Sequence, residues 1–269
     1  MNGATSVVEG IPGIPDYRVH TYRPRRSRYA LVIPVINEGE RIRRQLQAIA
    51  DANAPVDVYL ADGGSTDGTL GPWLEESGLS GTLVKTGGGK LSAQLRMGFH
   101  HTLALGYDGI LTMDGNGKDD PDGIARITAS LEDGVDFVQG SRFVAGGVAE
   151  NTPRLRLVGI RLVHAPLTSL AARRWFTDTT NGFRGHSRAL LTDPRVDIFR
   201  DVFDTYELLA YLPIRAGQLR YRTCEVPVAR RYPEHGPTPT RITGLRGNFE
   251  LLSIVTRAAL SSYRPGRAA

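Results

Sequence analysis

The feature that most constrains this chain is a series of five short, β-branched-rich runs, spaced through residues 29 to 142 and separated by polar or glycine-rich breaks and helix-like stretches. "YALVIPVI" (Tyr29 to Ile36) opens the series, and a run so evenly apolar suits a strand buried on both faces of a parallel sheet. Asn37 and Glu38 follow it and open a helix in which Ile42, Leu46 and Ile49 fall at helical spacing. "PVDVYLAD" (Pro55 to Asp62) reads as the second strand, and "GGSTDGT" as a loop whose Ser65 or Thr66 caps a helix beginning near Asp67. "GTLVKT" is the third strand, after which Leu91, Leu95, Phe99 and Leu103 form an i, i+4 stripe. "DGILTMD" and "VDFVQGSR" supply the fourth and fifth strands, with the helix "PDGIARITASLE" between them. The expectation is an open α/β fold, a mostly parallel sheet flanked by helices and joined by right-handed crossovers.

In such sheets ligands bind beyond the carboxyl ends of the strands. Strand ends therefore give the candidate site residues: Asn37 and Glu38, Asp62, Gly87 to Lys90, Asp114 and Asn116, and Gly140 to Arg142. Carboxylates, amides and glycines dominate that set. Any one of them has a structural explanation, since Asp62 can cap a helix and Gly87 to Gly89 can make a turn. Their convergence on one edge points to a polar ligand.

Composition narrows the choice of function. With 41% hydrophobic and 23% charged residues in 269, the chain suits one globular domain with additions. Its one cysteine, Cys224, excludes a disulfide framework and CxxC metal or redox chemistry, and reads as a core thiol. No secretory leader and no apolar run of membrane-spanning length is evident, so a cytoplasmic protein is expected. The net charge of +5 comes almost wholly from arginine, lysine occurring only at Lys85, Lys90 and Lys118. Planar guanidinium groups suit bidentate recognition of phosphate. "GGGKLS" is not a P-loop, because Val84 and Leu91 stand where its first glycine and final Ser/Thr belong, and "DGGSTDG" is not a dinucleotide fingerprint.

"LVIPVINEGERI", "VYLADGGSTDGT", a D-x-D-like element at Asp114, "DFVQGSRF" and "DTTNGFRGHSRALL" follow one another in the order seen in family 2 glycosyltransferases. Over residues 29 to 245 the chain resembles in particular the dolichyl- and polyprenyl-phosphate mannosyl- and glucosyltransferases. The resemblance implies a GT-A (Rossmann-like) fold, a nucleotide-sugar donor, Mg²⁺ or Mn²⁺ as cofactor, and inversion at the anomeric carbon. Carried over by position, it places Pro34, Ile36, Asn37 and Glu38 against the nucleotide and Asp62 at its base or ribose. Lys90 falls at the diphosphate, and Arg230, Arg231 and Arg241 fall in a basic loop that closes on phosphates. Asp114 takes the first metal-binding position, and Asn116 stands where the family has a second aspartate. An amide oxygen can ligate a hard cation but brings no charge. Asp119 and Asp120 read either as further ligands or as caps ahead of Pro121.

On the acceptor side the resemblance favours Asp178 as general base, because it precedes the Thr180-Asn181-Gly182-Phe183 turn. Glu207 is the other candidate, and also suits a cap or a buried structural carboxylate. An acceptor that is itself a phosphate needs no strong base. The expected donor is a UDP-sugar, with GDP-mannose as the other option, carrying a hexose or N-acetylhexosamine. The expected acceptor is a polyprenyl phosphate or a small soluble molecule, the latter as in a natural-product (nucleoside or antibiotic) pathway. A basic nucleic-acid-binding protein is the rival class, but strand-end carboxylates would repel a phosphate backbone, so no nucleic-acid partner is expected. Three segments follow: an arm over 1–28, packed on the surface or mobile; the GT-A domain over 29–245, with a donor half (29–142) and an acceptor half (143–245); and a C-terminal helix and tail over 246–269. "NFELLSIVTRAAL" in that tail suits packing on the domain, on a second subunit of a homo-oligomer, or peripherally on the inner face of a membrane.

Overall fold

The computed structural model describes residues 4–233 and 244–266. Two strands, β1 (Ala4–Val8) and β2 (Tyr17–Thr21), pair antiparallel at the start. The alternating body follows as β3 (Tyr29–Val35), α1 (Glu40–Asp51), β4 (Asp57–Asp62), β5 (Gly81–Lys85), α2 (Leu91–Ala104), β6 (Gly109–Thr112), α3 (Gly123–Glu132) and β7 (Phe137–Ser141). After β8 (Val148–Glu150) come α4 (Arg154–Gly159), a π-helical turn (Ile160–His164) and α5 (Ala165–Ala172). The chain closes with β9 (Arg184–Ser187), α6 (Arg188–Thr192), α7 (Glu207–Gln218), β10 (Thr223–Pro227), β11 (Ala229–Arg231) and α8 (Gly244–Ala259).

Among the described residues nine strands form one sheet in the order β1-β2-β5-β4-β3-β6-β9-β7-β10, of which β2 and β9 run against the rest. β8 and β11 make a separate parallel pair. The sheet is therefore mostly parallel, as the apolar runs imply. β9, from the second half of the chain, lies between β6 and β7 from the first, so both halves share one sheet.

Side chains alternate across β3 and divide the core in two. Leu31 and Ile33 face α1 and α3, in a cluster with Ile42, Leu46, Ile124 and Ile127. Val32 faces α2 and α7, in a cluster with Leu95, Phe99, Leu208 and Leu212. Each such side chain contributes about 1.5–3 kcal/mol by leaving water. α2 is buried well beyond the expected Leu91–Leu103 stripe, with Ser92, Gln94, Arg96 and Thr102 also inside. Its outer side is covered by the segment before α7, where Ser92 Oγ donates to the Thr205 carbonyl and Arg96 pairs with Asp201.

Two expectations are corrected. Residues 4–28 of the expected 1–28 arm are not one, for β1 and β2 extend the sheet beside β5, with Tyr17 and Val19 buried on alternate positions of β2. No α-helix begins near Asp67: that carboxylate accepts the Thr69 amide and hydroxyl, Gly68 turns at φ +82°, and only a 3₁₀ turn forms at Pro72–Glu75. Among the alternatives for the tail, α8 packs on α5 and α7, with Ile254, Val255 and Ala258 in the core. Cys224 is half-buried and burial raises its thiol pKa, in keeping with an inert thiol.

Candidate active site

At the carboxyl ends of β3 and β4 two loops are laced together. Asn37 sits at φ +53°, a conformation its short amide tolerates. Its backbone N–H donates to Ser65 Oγ (2.9 Å), and its Oδ1 accepts the Thr66 N–H (2.8 Å). The Thr69 hydroxyl accepts the N–H groups of both Glu38 and Gly39 (2.8 and 2.9 Å). Asp62 is closed to solvent and accepts from the Gly64 and Ser65 amides and the Ser65 hydroxyl. It therefore shapes the loop rather than pointing out of it. Glu38 pairs with Arg41 at 2.8 Å. Behind this edge Gln94 Nε2 donates to the carbonyls of Val35 and Ala61 (2.9 and 2.8 Å), a role hidden in the sequence by its place in an apolar helix.

A narrow pocket opens beside these loops, lined by Pro34, Leu91, Thr112, Asp114, Gly182 and Leu209 among others. The exposed Lys90 stands at the start of α2, its backbone N–H held by the Asp204 carbonyl. At the floor, Asp114 lies two residues past β6, and its own carbonyl accepts from Gln45 Nε2 (2.8 Å). The buried Arg230 donates to Asp114 Oδ2 (2.7 Å), to Asp119 Oδ2 and to Asn181 Oδ1 (3.2 Å). A backbone bridge between Asp119 and Arg230 clasps the two segments. Asp119 is therefore neither a cap nor a surface group. Asp120 does fix the turn into α3, accepting the Asp122 N–H, and pairs with Arg231, which also reaches Glu150 at the rim.

Charge is unevenly shared in this cluster. Burial opposes ionisation of Asp114, but Arg230 and Lys118 outweigh it and hold its carboxyl below the usual range. Burial pushes Asp119 the other way. The Lys118 ammonium lies 4.9 Å above the Tyr232 ring, and burial together with Arg230 lowers it to about 8. Of these groups Asp114 has access to the pocket, with 28% of its side chain exposed. Gly182 is required opposite it, since a Cβ there would lie 2.4 Å from Asp114 Oδ1.

The same floor bears on a divalent cation. Asn116 Oδ1 is shielded from solvent with no hydrogen-bond partner, while its amide nitrogen is 3.5 Å from Asp114 Oδ2. An orphaned amide oxygen beside an ionised carboxylate suits Mg²⁺ or Mn²⁺, so the residues present fit such an ion. Among the described residues no group of three or more His, Cys, Asp or Glu side chains is placed to hold a metal. The ion's remaining ligands would be water or substrate oxygens.

Neither expected base opens on this pocket as a free carboxylate. Asp178 is fully buried and pairs bidentately with Arg142, at 2.6 Å to Nε and 2.9 Å to Nη2. Burial opposes its charge, yet Arg142 keeps its carboxyl below the ordinary range. Glu225 supports it from below by accepting the Thr177 and Asp178 N–H groups. Glu207 takes up the Asp204 and Thr205 N–H groups and the Thr205 hydroxyl, capping the turn into α7. Arg241 lies outside the described residues, and Ile36 follows β3 at its carboxyl end.

The family model for glycosyl transferase family 2 matches residues 30–194, more than half of the chain. The chain belongs to that family. The transferase is 29% identical over 213 residues to the polyprenol monophosphomannose synthase of Mycolicibacterium smegmatis, covering 77% of this chain and 78% of the relative. It is 29% identical over 211 residues to the undecaprenyl-phosphate mannosyltransferase of Micrococcus luteus, covering 75% and 82%. Among solved structures it resembles glucosyl-3-phosphoglycerate synthase from Mycobacterium tuberculosis, crystallised with Mn²⁺, uridine diphosphate and glucosyl-3-phosphoglycerate, with a TM-score of 0.59, 19% identity, and 87% and 78% coverage. A second mycobacterial protein superposes with a TM-score of 0.62 at 18% identity, covering 94% and 84%. The fold of the transferase is accordingly GT-A.

Proposed function

We propose that this transferase moves a hexose from a nucleoside diphosphate sugar to a polyprenyl phosphate, with inversion at the anomeric carbon. The observation that carries the acceptor is the state of the two candidate bases: Asp178 is locked to Arg142 and Glu207 caps α7. A hydroxyl acceptor needs a group to take its proton, whereas a phosphate monoester is already ionised near neutral pH. The mannosyl-transferring relatives named above act on such lipids by their names, which supports the same reading.

In this reading the laced loops around Asn37 and Asp62 frame the nucleoside, and the start of α2 with Lys90 faces the diphosphate. Asp114 and Asn116 would hold Mg²⁺ or Mn²⁺. Bound there, the cation supplies Lewis-acid stabilisation of the charge developing on the leaving diphosphate. Arg230 is a positioning residue that fixes the Asp114 carboxylate and keeps it ionised. Lys118 adds positive charge to the same floor. The acceptor phosphate oxygen forms its bond to the anomeric carbon as the bond from that carbon to the diphosphate oxygen breaks. The electron pair leaves with the nucleoside diphosphate, and no proton need move.

Mass spectrometry of reactions pairing UDP- and GDP-hexoses with either polyprenyl phosphate or soluble sugar and nucleoside acceptors tests this directly. The expected product is a hexosyl lipid phosphate. Products confined to the soluble hydroxyl acceptors would overturn the proposal.

A further inference from the structure

The three helical stretches from Arg154 to Ala172 run together as one rod of 19 residues, with a mean hydropathy of 1.2 over its most apolar window and 28% of that window buried. In the sequence Arg156 and Arg161 interrupt the apolar residues, so no continuous apolar run of spanning length is present there. The structure joins the pieces through the π turn. Leu155, Leu162 and Leu170 are 75%, 71% and 79% exposed, and Trp175 just past the rod is 69% exposed. The spacing is seven residues and then eight, and the π turn takes in the extra residue that keeps Leu170 in line with the other two. Single exposed leucines are ordinary, but a stripe of them along one rod, extended by Val158 and Trp175, marks a contact surface.

Charge identifies what the surface meets. Between Pro153 and Thr177 there are five arginines and no aspartate or glutamate. Arg154, Arg161, Arg173 and Arg174 are exposed beside the apolar stripe. An apolar face rimmed by cations lies in the plane of an anionic lipid surface, where arginines reach the headgroups and leucines and tryptophan enter the acyl boundary. Crossing a bilayer is disfavoured by Arg156 and Arg161 within the rod. The rod also starts at the site: Arg156 lies 6.0 Å from the Tyr232 ring, over which the Lys118 ammonium also stands at 4.9 Å.

We infer that the face carrying Leu155, Leu162, Leu170 and Trp175, rimmed by Arg161, Arg173 and Arg174, docks on an anionic membrane surface in plane. This rests on the polyprenyl-phosphate reading only in its purpose: the docked face sets the Asp114–Arg230 cluster near the headgroup level from which a lipid-borne acceptor is drawn.

The test is sedimentation of the full chain with vesicles of 30% phosphatidylglycerol in phosphatidylcholine, against pure phosphatidylcholine, for the parent and the double variant Leu162→Glu, Leu170→Glu. The parent is expected to bind the anionic vesicles at least tenfold more tightly than the neutral ones, and the variant to lose at least tenfold of that affinity with its melting temperature unchanged. Turnover on a short-chain, water-soluble prenyl phosphate is expected to stay within twofold in the variant, while turnover on vesicle-borne acceptor falls. Equal vesicle binding by parent and variant overturns the inference. So does a parent that ignores vesicles but sediments as a dimer that the variant dissolves, for the face would then be covered by a second copy. Vesicle binding lost in the variant, with no transfer to any prenyl phosphate by the parent, would refute the proposed acceptor and leave the docking surface standing.

Discussion

Asp114 and Asp178 are both carboxylates held by a buried arginine, and they differ first in access: Asp114 has 28% of its side chain exposed and Asp178 has none. Arg142 grips Asp178 with two parallel hydrogen bonds, the geometry that leaves such a carboxylate least free to do anything else. Arg230 touches Asp114 through one oxygen and divides its other nitrogen between Asp119 and Asn181. Pairing with arginine keeps both acids ionised, and access decides which one can meet a substrate. The closed pair is a strut beneath the Thr180–Phe183 turn; the open one faces the pocket.

Substitutions should separate the two. The largest effect is expected from Asp114→Ala, which should lower kcat/KM by about a thousandfold, or about 4 kcal/mol of transition-state stabilisation, with little change in melting temperature. Retention of more than a tenth of the parent activity would remove Asp114 from the reaction. Asp178→Ala should do the reverse, leaving Arg142 buried without its partner and costing about 3 kcal/mol of stability. In a thermal melt that is a fall of about 10 °C. A melting temperature within 2 °C of the parent, with activity gone, would make Asp178 a catalytic group after all.

Asn116→Asp tests the open site more gently. Adding a charge to the orphaned oxygen should tighten Mn²⁺ binding by about tenfold, roughly 1.4 kcal/mol, as read by calorimetry. Unchanged affinity would show that position 116 is not a ligand. The smallest effect concerns acid. Asp178 is held below its ordinary pKa, so the stability it contributes is present above the unfolded carboxylate value and is lost only as pH falls below it. His186, wedged between Phe99 and Phe137, is pushed down by burial to about 3, and His101 to about 4. These histidines stay neutral in the fold while the unfolded chain takes up protons below about 6.5, so stability should decline by about 1 kcal/mol for each as pH falls from 6.5 to 5.5. Melts recorded from pH 7 to 5 should show that decline, and His186→Phe should make it shallower by the His186 share. An equally steep decline in that variant would place the acid sensitivity elsewhere, in the carboxylate pairs or the remaining histidines.

How much of this was legible beforehand follows from how far each contact reaches along the chain. The strands from β3 to β7 were evident because an apolar run records burial residue by residue, and the strand-end polar residues followed from topology. Asn37, Asp62 and Asp114 were found in that way. The partner of Asp119 is Arg230, 111 positions away, and no local pattern links them. Asp119 therefore reads in the sequence as either a cap or a further metal ligand. The resemblance favours Asp178 as a base from the turn that follows it, and its partner Arg142, 36 residues earlier, reads in the sequence only as the end of a strand. β1 and β2 were hidden by the glycines and prolines around them, though Tyr17 and Val19 carry the period-two signal. The exposed rod at 154–172 could not be read at all, because a leucine on the surface and a leucine in the core are the same letter.

The central claim is that the Asp114 floor receives a sugar-bearing nucleoside diphosphate. Its most direct test is the melting temperature of the parent and of Asp114→Ala with UDP or GDP and Mn²⁺, each nucleotide at about a hundred times its dissociation constant. Ligand binding to the folded state alone should add about 2.7 kcal/mol, a rise of roughly 5–10 °C for the parent and little for the variant. No rise for the parent with either nucleotide, or an equal rise in the variant, would contradict the account.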